Sequence, residues 1–284
     1  MQFSVVTLLA AVVVGTWNGN WFPSGRAEHR APPEVEEATV AVAARMLATG
    51  LNEMDPLGTN DVILCLNEIR GPRVAAELVR RIGRPGLRVA VISGYRRRDR
   101  FDQQQDVIAT TLPVAESHWS RWKAKGECQP PRGYAFAAVV VEPAVTAHVY
   151  AVHLKSNYGA KKPEVAAACR EKRTVAVEQL IGLEKSAHGK RSAPVIVAGD
   201  LNADRWRREF AAERIFGLLD EAGFANPLGD LPAAERGTHP SARYGDSALD
   251  YILCRGATSV GLPRVIANDS LSDHRAVFVL MNVP

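Results

Sequence analysis

An α+β sandwich of mixed sheets with helices packed outside is the fold this sequence predicts, and two observations carry the expectation. Short apolar runs of strand composition recur along the chain, some joined as hairpins and others separated by amphipathic helical stretches. No internal repeat, low-complexity tract or Ser/Gly linker interrupts them, which favours one domain. A purely parallel doubly wound sheet fits less well, because hairpins imply antiparallel neighbours.

The first element is ambiguous. Residues Phe3 to Val14 (FSVVTLLAAVVV) have the length of a signal-peptide apolar core, yet no Lys or Arg precedes them and no clean cleavage site follows. The same Val-rich run suits a buried central strand. We therefore expect residues 1–11 to be a signal segment running into a first strand, Val12 to Asn18, and residues 12–284 to form the domain. That favours a secreted or periplasmic protein, with a cytoplasmic one as the alternative.

Pro32-Pro33 opens a helix with Val35, Val42 and Met46 on its apolar stripe and Gly50 at its end. Asp61 to Leu66 reads as a buried strand. A helix carrying Val74, Leu78 and Ile82 follows, stopped by Gly83. Leu87 to Ser93 and Asp106 to Leu112 read as strands, then Tyr134 to Val141 and Ala147 to Leu154 as a hairpin about Glu142-Pro143. Pro163 starts a long helix with Val165, Cys169, Ala176, Leu180 and Leu183 on one side. Val195 to Ala198 is a short buried strand, Trp206 to Leu219 reads as helical, and strands Leu249 to Cys254 and Arg275 to Leu280 close the chain.

Composition narrows the class. The 284 residues are 46% hydrophobic and 23% charged, a globular balance that excludes a disordered or fibrous protein. No apolar run reaches the ~20 residues of a membrane-spanning helix. A net charge of +4 tolerates a polyanionic partner without demanding one. Cys65 and Cys254 lie in apolar runs and read as core residues; Cys128 and Cys169 could pair in an exported protein, and spacing alone leaves that open.

Chemistry gathers at strand ends, where loops on a rigid scaffold place functional groups. Asn18 lies in GTWNGNW, Glu68 in LCLNEIRG, His153 in YAVHLKS, Asp200 and Asn202 in GDLN, Asp250 in LDYIL, and Asp273-His274 in LSDHRAVF. Each alone has a bland reading as a turn, cap or satisfied core residue. Together they hold every part that phosphate-ester hydrolysis requires. Hard carboxylate oxygens can bind a divalent cation, another carboxylate can orient water, and amides and imidazoles can stabilise developing charge.

The ordered set WN, NE, HLKS, GDLN, LDYIL and SDH resembles the endonuclease/exonuclease/phosphatase superfamily, the DNase I-like proteins, from about Val12 to Val279. The resemblance implies a four-layer α/β/β/α sandwich of two mixed sheets. It implies that Glu68 is the principal ligand of Mg²⁺ (or Mn²⁺ or Ca²⁺), with Asn18 shaping the metal and phosphate site and Asp273 a more variable metal contact. Asp200 would orient or activate water, with Asn202 beside it on the phosphate. His274 would contact the scissile phosphate, oriented by Asp250. His153 matches the histidine of the nuclease and sphingomyelinase branches, where abasic-site repair enzymes carry tyrosine. Asn67 departs from the more usual glutamine, a mild change because both amides can donate to phosphate.

No motif names the substrate. Eight arginines lie between Arg80 and Arg100 against one acid, Asp99, and read either as a solvated face or as phosphate contacts. Arg205, Arg207 and Arg208 flank Trp206 just beyond GDLN and are expected to bind substrate. Trp119, Trp122 and Lys123 read by default as a packed loop, with base stacking or membrane contact as alternatives. Gln103, Gln104 and Gln105 could reach phosphate. We expect a nuclease acting on nucleic acid, monomeric and without a stable protein partner. A hydrolase of inositol phosphates or sphingomyelin is the alternative, and an inactive scaffold fits poorly because no anchor is missing.

Overall fold

The computed structural model describes residues 10–24, 32–97, 100–101, 104–157, 159–160, 162–187, 193–242, 245–267 and 271–284. The elements run β1 (Ala10–Phe22), α1 (Pro33–Met54), β2 (Asp61–Ile69), α2 (Pro72–Ile82), β3 (Arg88–Ile92), β4 (Arg96–Arg97), β5 (Arg100–Phe101), β6 (Gln105–Thr110) and β7 (Val114–Arg121). They continue with β8 (Gly133–Glu142), β9 (Val145–His153), α3 (Pro163–Ala187), β10 (Val195–Asp200), α4 (Ile215–Glu221), β11 (Asp250–Arg255), β12 (Thr258–Ile266) and β13 (Ala276–Val283).

Two mixed sheets result. One has the order β12-β13-β1-β2-β6-β3 and the other β11-β10-β9-β8-β7, while β4 and β5 form a small separate ribbon. The period-2 alternation of strand side chains distributes the core between layers. Val12 and Val14 of β1 face the second sheet, in one cluster with Ala135, Ala137 and Val149. Val13 points the other way, with Val62 and Leu64, onto Ala43 and Leu47 of α1 and Leu78 of α2. On the far side Glu184 of α3 accepts from the Tyr150 hydroxyl of β9, and Phe216 of α4 packs against Tyr251 of β11. The four-layer sandwich expected from the sequence is therefore the fold observed.

Several elements differ from the sequence reading for local reasons. Gly50 does not end the first helix, which runs on to Met54. A Cβ on Gly50 would lie 2.1 Å from the Phe278 ring, so glycine there lets α1 settle onto β13. The buried stripe of α1 is Val40, Ala43, Ala44, Met46, Leu47 and Leu51, so Met46 faces the core as expected while Val35 is exposed and Val42 only partly covered. Trp206 to Leu219 is not one helix: a short 3-10 turn at Arg208–Phe210 precedes α4. Strands β7 and β12 go unannounced because most of their side chains face solvent, and β12 carries a bulge between Val260 and Arg264. All four cysteines are free thiols. Most of the expected signal segment, residues 1–9, lies outside the described residues; Ala10 and Ala11 already pair with Val283 and Asn282.

Candidate active site

The candidate residues converge where the ends of strands from both sheets meet. Parallel pairing of β9 with β10 sets His153 beside Asp200, and antiparallel pairing of β10 with β11 sets Asp200 beside Asp250. Directly paired residues project on the same face, so these three side chains form a row. In the other sheet Asn18 of β1 pairs with Asn67 of β2, and the register slips just beyond both. Such bulges re-aim side chains. Glu68 sits in the slip with φ 60°, and Asn20, Trp21, Arg132 and Asn202 nearby also have positive φ. Non-glycine residues there cost ~1–3 kcal/mol each and persist where surrounding contacts over-determine them.

Asn18 joins the two sheets' carboxylates. Its Nδ2 donates to Asp200 Oδ2 at 2.9 Å and to Glu68 Oε1 at 3.3 Å. Glu68 Oε2 accepts the Trp21 backbone N–H at 3.0 Å, and Asp200 accepts both the backbone N–H and the side-chain amide of Asn202, at 2.7 and 2.8 Å. His153 Nε2 lies 3.7 Å from Glu68 and 3.5 Å from Asp200. Asn67 is fully buried: its Nδ2 donates to Asp106 at 2.7 Å and its Oδ1 accepts the Asp200 N–H at 3.1 Å. This overturns the reading of Asn67 as a phosphate donor. It is a brace between sheets. Gly199 makes the close approach feasible, because its φ is 141° and a Cβ would meet Val152 O at 2.0 Å and Asn67 Oδ1 at 2.8 Å.

His274 closes the other side. Its Nδ1 is 2.7 Å from Asp250 Oδ2, which also accepts the Thr238 hydroxyl at 2.7 Å. Its Nε2 faces Asp200 Oδ2 at 3.9 Å and Asp273 Oδ1 at 4.0 Å. The Trp17 indole holds the His274 carbonyl at 3.2 Å, and Ser272 Oγ receives the His274 N–H while donating to Asn18 O at 2.7 Å. The half-exposed Asp273 lies 3.7 Å from His239, whose ring packs edge-on against His274 with centroids 4.9 Å apart.

Burial and charge set these groups apart electrostatically. Burial, reinforced by the Asp250 charge, pushes Asp200 up to about 7 against the pull of His274 and the amides. Burial works against a charged His274, yet Asp250 and then Asp200 hold it up at about 10. Burial, with Arg132, His274 and Lys155 adding positive charge, drives His153 well below the usual histidine range. The site thus contains one cationic and one neutral imidazole around carboxylates. Among the described residues no Lys or Arg lies within ion-pair distance of Glu68 or Asp200; amide and backbone N–H groups donate to them, and the cationic His274 stands 3.9 Å from Asp200. A hard divalent cation fits that oxygen donor set and the charge it leaves uncompensated.

A sequence profile of the Endonuclease/Exonuclease/phosphatase family matches residues 15–274, from the glycine before the first anchor to the histidine of the last. This chain belongs to that family. The family is one of phosphoric ester hydrolases, and this member keeps each acidic and imidazole anchor in one cluster. Solved structures of low identity share its fold. An endonuclease/exonuclease/phosphatase from Beutenbergia cavernae is 16% identical with a TM-score of 0.65, covering 96% of this chain and 72% of its own. D. rerio TDP2 complexed with single-strand DNA product is 18% identical, TM-score 0.60, over 96% and 99%. Sphingomyelinase C from Streptomyces griseocarneus is 17% identical, TM-score 0.60, over 95% and 99%. No curated protein matches the sequence. No helix among the described residues is long and apolar enough to cross a membrane.

The arginines divide differently from the expectation. Arg205 is held bidentate by Asp220 at 2.9 and 2.7 Å, and Arg207 by Glu209 and Ser247, leaving Arg208 exposed. Arg80 and Arg81 pair with Glu77, Arg84 with Asp55, and Arg88 caps the carbonyls of Thr111 and Leu112. Each of these arginines is thus engaged by a group of this chain. Trp122 is buried against Tyr134, Gln105 is tied to Ser93 and Tyr95, and Gln104 accepts from Arg132; Arg98 and Gln103 lie outside the described residues. Sequence reasoning missed Arg132, which donates to the carbonyls of His153 and Leu154 at 3.0 and 2.6 Å, as well as Thr238 and His239. Their only signal is an isolated polar residue in a Pro- or Gly-flanked loop.

Proposed function

We propose that this protein is a divalent-metal-dependent phosphodiesterase that cleaves nucleic acid by in-line attack of water. The observation that carries the reading is the closed set Glu68–Asn18–Asp200–His153 on one side and Asp200–His274–Asp250 on the other. Glu68, with Asn18 and Asp273 as auxiliaries, would hold Mg²⁺ or a similar cation. When bound, the cation neutralises phosphoryl oxygens and so lowers the barrier to attack. Asp200 orients the attacking water; burial, with the Asp250 charge beside it, holds its carboxyl above the usual carboxylate range and so makes it the better base. Asn202 presents its amide next to it. Protonated His274 places positive charge and an Nε2 donor at the phosphate, with Nδ1–H donated to Asp250. Neutral His153 supplies a second imidazole between Glu68 and Asp200.

Dispersed exposed apolar residues favour a nucleic acid over a lipid surface. Among the described residues, Val35, Leu57, Trp119, Val165 and Trp206 lie on separate elements or connecting segments, and only Val260 and Leu262 of β12 are close in sequence. The test is nicking of supercoiled plasmid with Mg²⁺, with EDTA and His274→Ala as controls. Nicking lost in both controls is the expected result. Absent nicking with sustained hydrolysis of sphingomyelin or inositol phosphates would replace the substrate class and leave the chemistry.

A further inference from the structure

A cavity of about 400 Å³ opens beside the His274 half of the site, lined by Asp204, Trp206, Arg207, Arg236, Gly237 and Asp246 among others. Its walls continue directly into the catalytic cluster. Gly237 precedes Thr238, whose hydroxyl holds Asp250. Arg275, next to His274, donates to Gly237 O and to Asp246, each at 2.8 Å. Asp204 lies two residues beyond Asn202. The cavity wall and the His274–Asp250 pair are thus joined through Gly237–Thr238 and through Arg275.

The charges lining it are not equivalent. Arg207 is neutralised by Glu209, and Asp246 by Arg275. Asp204 turns its carboxylate onto the backbone N–H groups of Trp206, Arg207 and Ala248 at 2.8 to 3.2 Å. Arg236 has no carboxylate partner among the described residues. Its Nε and Nη2 donate to the carbonyls of Leu231 and Gly229 at 2.7 and 2.9 Å, and its guanidinium lies 4.6 Å over the Trp206 ring. Three contacts therefore fix the guanidinium plane, while among the described residues no carboxylate pairs with it and its Nη1 forms no hydrogen bond. A rigid fork with a spare donor loses little entropy on binding an anion and is suited to phosphate oxygens.

We propose that this cavity is a subsite for the phosphate that flanks the scissile one in a polynucleotide, and that Arg236, clamped on Trp206, is its ligand. The proposal rests on the nucleic-acid reading and narrows it to substrates bearing at least two successive phosphates. It also moves the substrate-binding role from the neutralised Arg205 and Arg207 to an arginine that lies about thirty residues later in the chain.

The experiment is a methylphosphonate walk on a short fluorescent DNA duplex with Mg²⁺, in which each phosphate around a mapped cleavage position is made neutral in turn. Wild-type protein is expected to lose kcat/KM roughly tenfold to a hundredfold at one flanking position, the worth of one charged hydrogen bond. Arg236→Ala should show that loss on the unmodified duplex and little further loss on the neutral one. Arg236→Lys, which keeps the charge without the fork, should fall between. Thermal melts of both variants report on the Leu231 and Gly229 contacts separately. Wild-type indifference to every flanking substitution, or an undiminished penalty in Arg236→Ala, would overturn the subsite while leaving the nuclease reading intact. No cleavage of the unmodified duplex would overturn the nuclease reading, and the subsite with it.

Discussion

Replacing Asp250 with Asn tests the His274 arrangement with little change of shape. Asp250 is fully buried, and its Oδ2 accepts from both His274 Nδ1 and Thr238 Oγ1 at 2.7 Å. The carboxamide oxygen can take both bonds, but its NH₂ then occupies the place of Oδ1, which has no partner among the described residues. What disappears is the charge supporting the imidazolium. A hydrogen bond between charged groups contributes ~1.5–3 kcal/mol, which is roughly a 10- to 150-fold loss in kcat if it acts in the transition state. KM should change much less. The pH profile carries a second signature. Asp250 is the leading group that lifts His274 to about 10, against the opposing effect of burial. Its loss lowers the His274 pKa, so the protonated working form is lost earlier as pH rises, and the alkaline limb shifts to lower pH. Hydrolysis of bis(p-nitrophenyl) phosphate at saturating Mg²⁺, followed from about pH 6 to about pH 11, reads both effects. An unchanged kcat with an unmoved alkaline limb would refute the pairing.

Other predictions follow from the same contacts. Glu68→Gln is expected to lower turnover at limiting Mg²⁺ and to recover partly in excess metal; wild-type turnover at limiting Mg²⁺ would remove Glu68 from the metal site. Gly50→Ala forces a methyl to within 2.1 Å of the buried Phe278 ring and should destabilise by ~1–3 kcal/mol. A thermal midpoint equal to the wild type would refute that packing. Burial alone would raise Asp55, but Arg84 and the Asn60 backbone N–H hold it below its ordinary value. A depressed carboxylate stabilises above its unfolded pKa and loses that contribution as pH falls through its folded one. Asp55→Asn should therefore destabilise strongly at pH 7 and by a smaller margin in acid, by urea titration; an equal cost at both pH values would refute the ion pair's contribution.

Much of this protein is legible in its chain because the relevant physics is local. Val12 to Val14 and Ile63 to Cys65 read as buried strands from composition alone, and Gly83, at φ 75°, ends α2 as an αL glycine should. Glu68, Asp200, Asp250 and His274 stand out because carboxylates and imidazoles at apolar strand ends need partners. Asn67 was legible as a position but not as a part. Its two hydrogen bonds join Asp106 of one sheet to Asp200 of the other, and no spacing shows that.

Which charges stay available was decided only in three dimensions. Arg84 and Asp55 are 29 residues apart, and Arg205 and Asp220 are 15 apart, yet each pair is in contact. Two arginines beside GDLN thus sit in ion pairs, whereas Arg236, in a stretch without any basic run, lies against Trp206 with no carboxylate partner among the described residues. Hydrophobic periodicity is a property of neighbours along the chain, so the sequence determined the layers and the anchors. Neutralisation depends on which distant groups the fold brings within about 4 Å, where opposite charges interact appreciably, and that only the tertiary structure could decide.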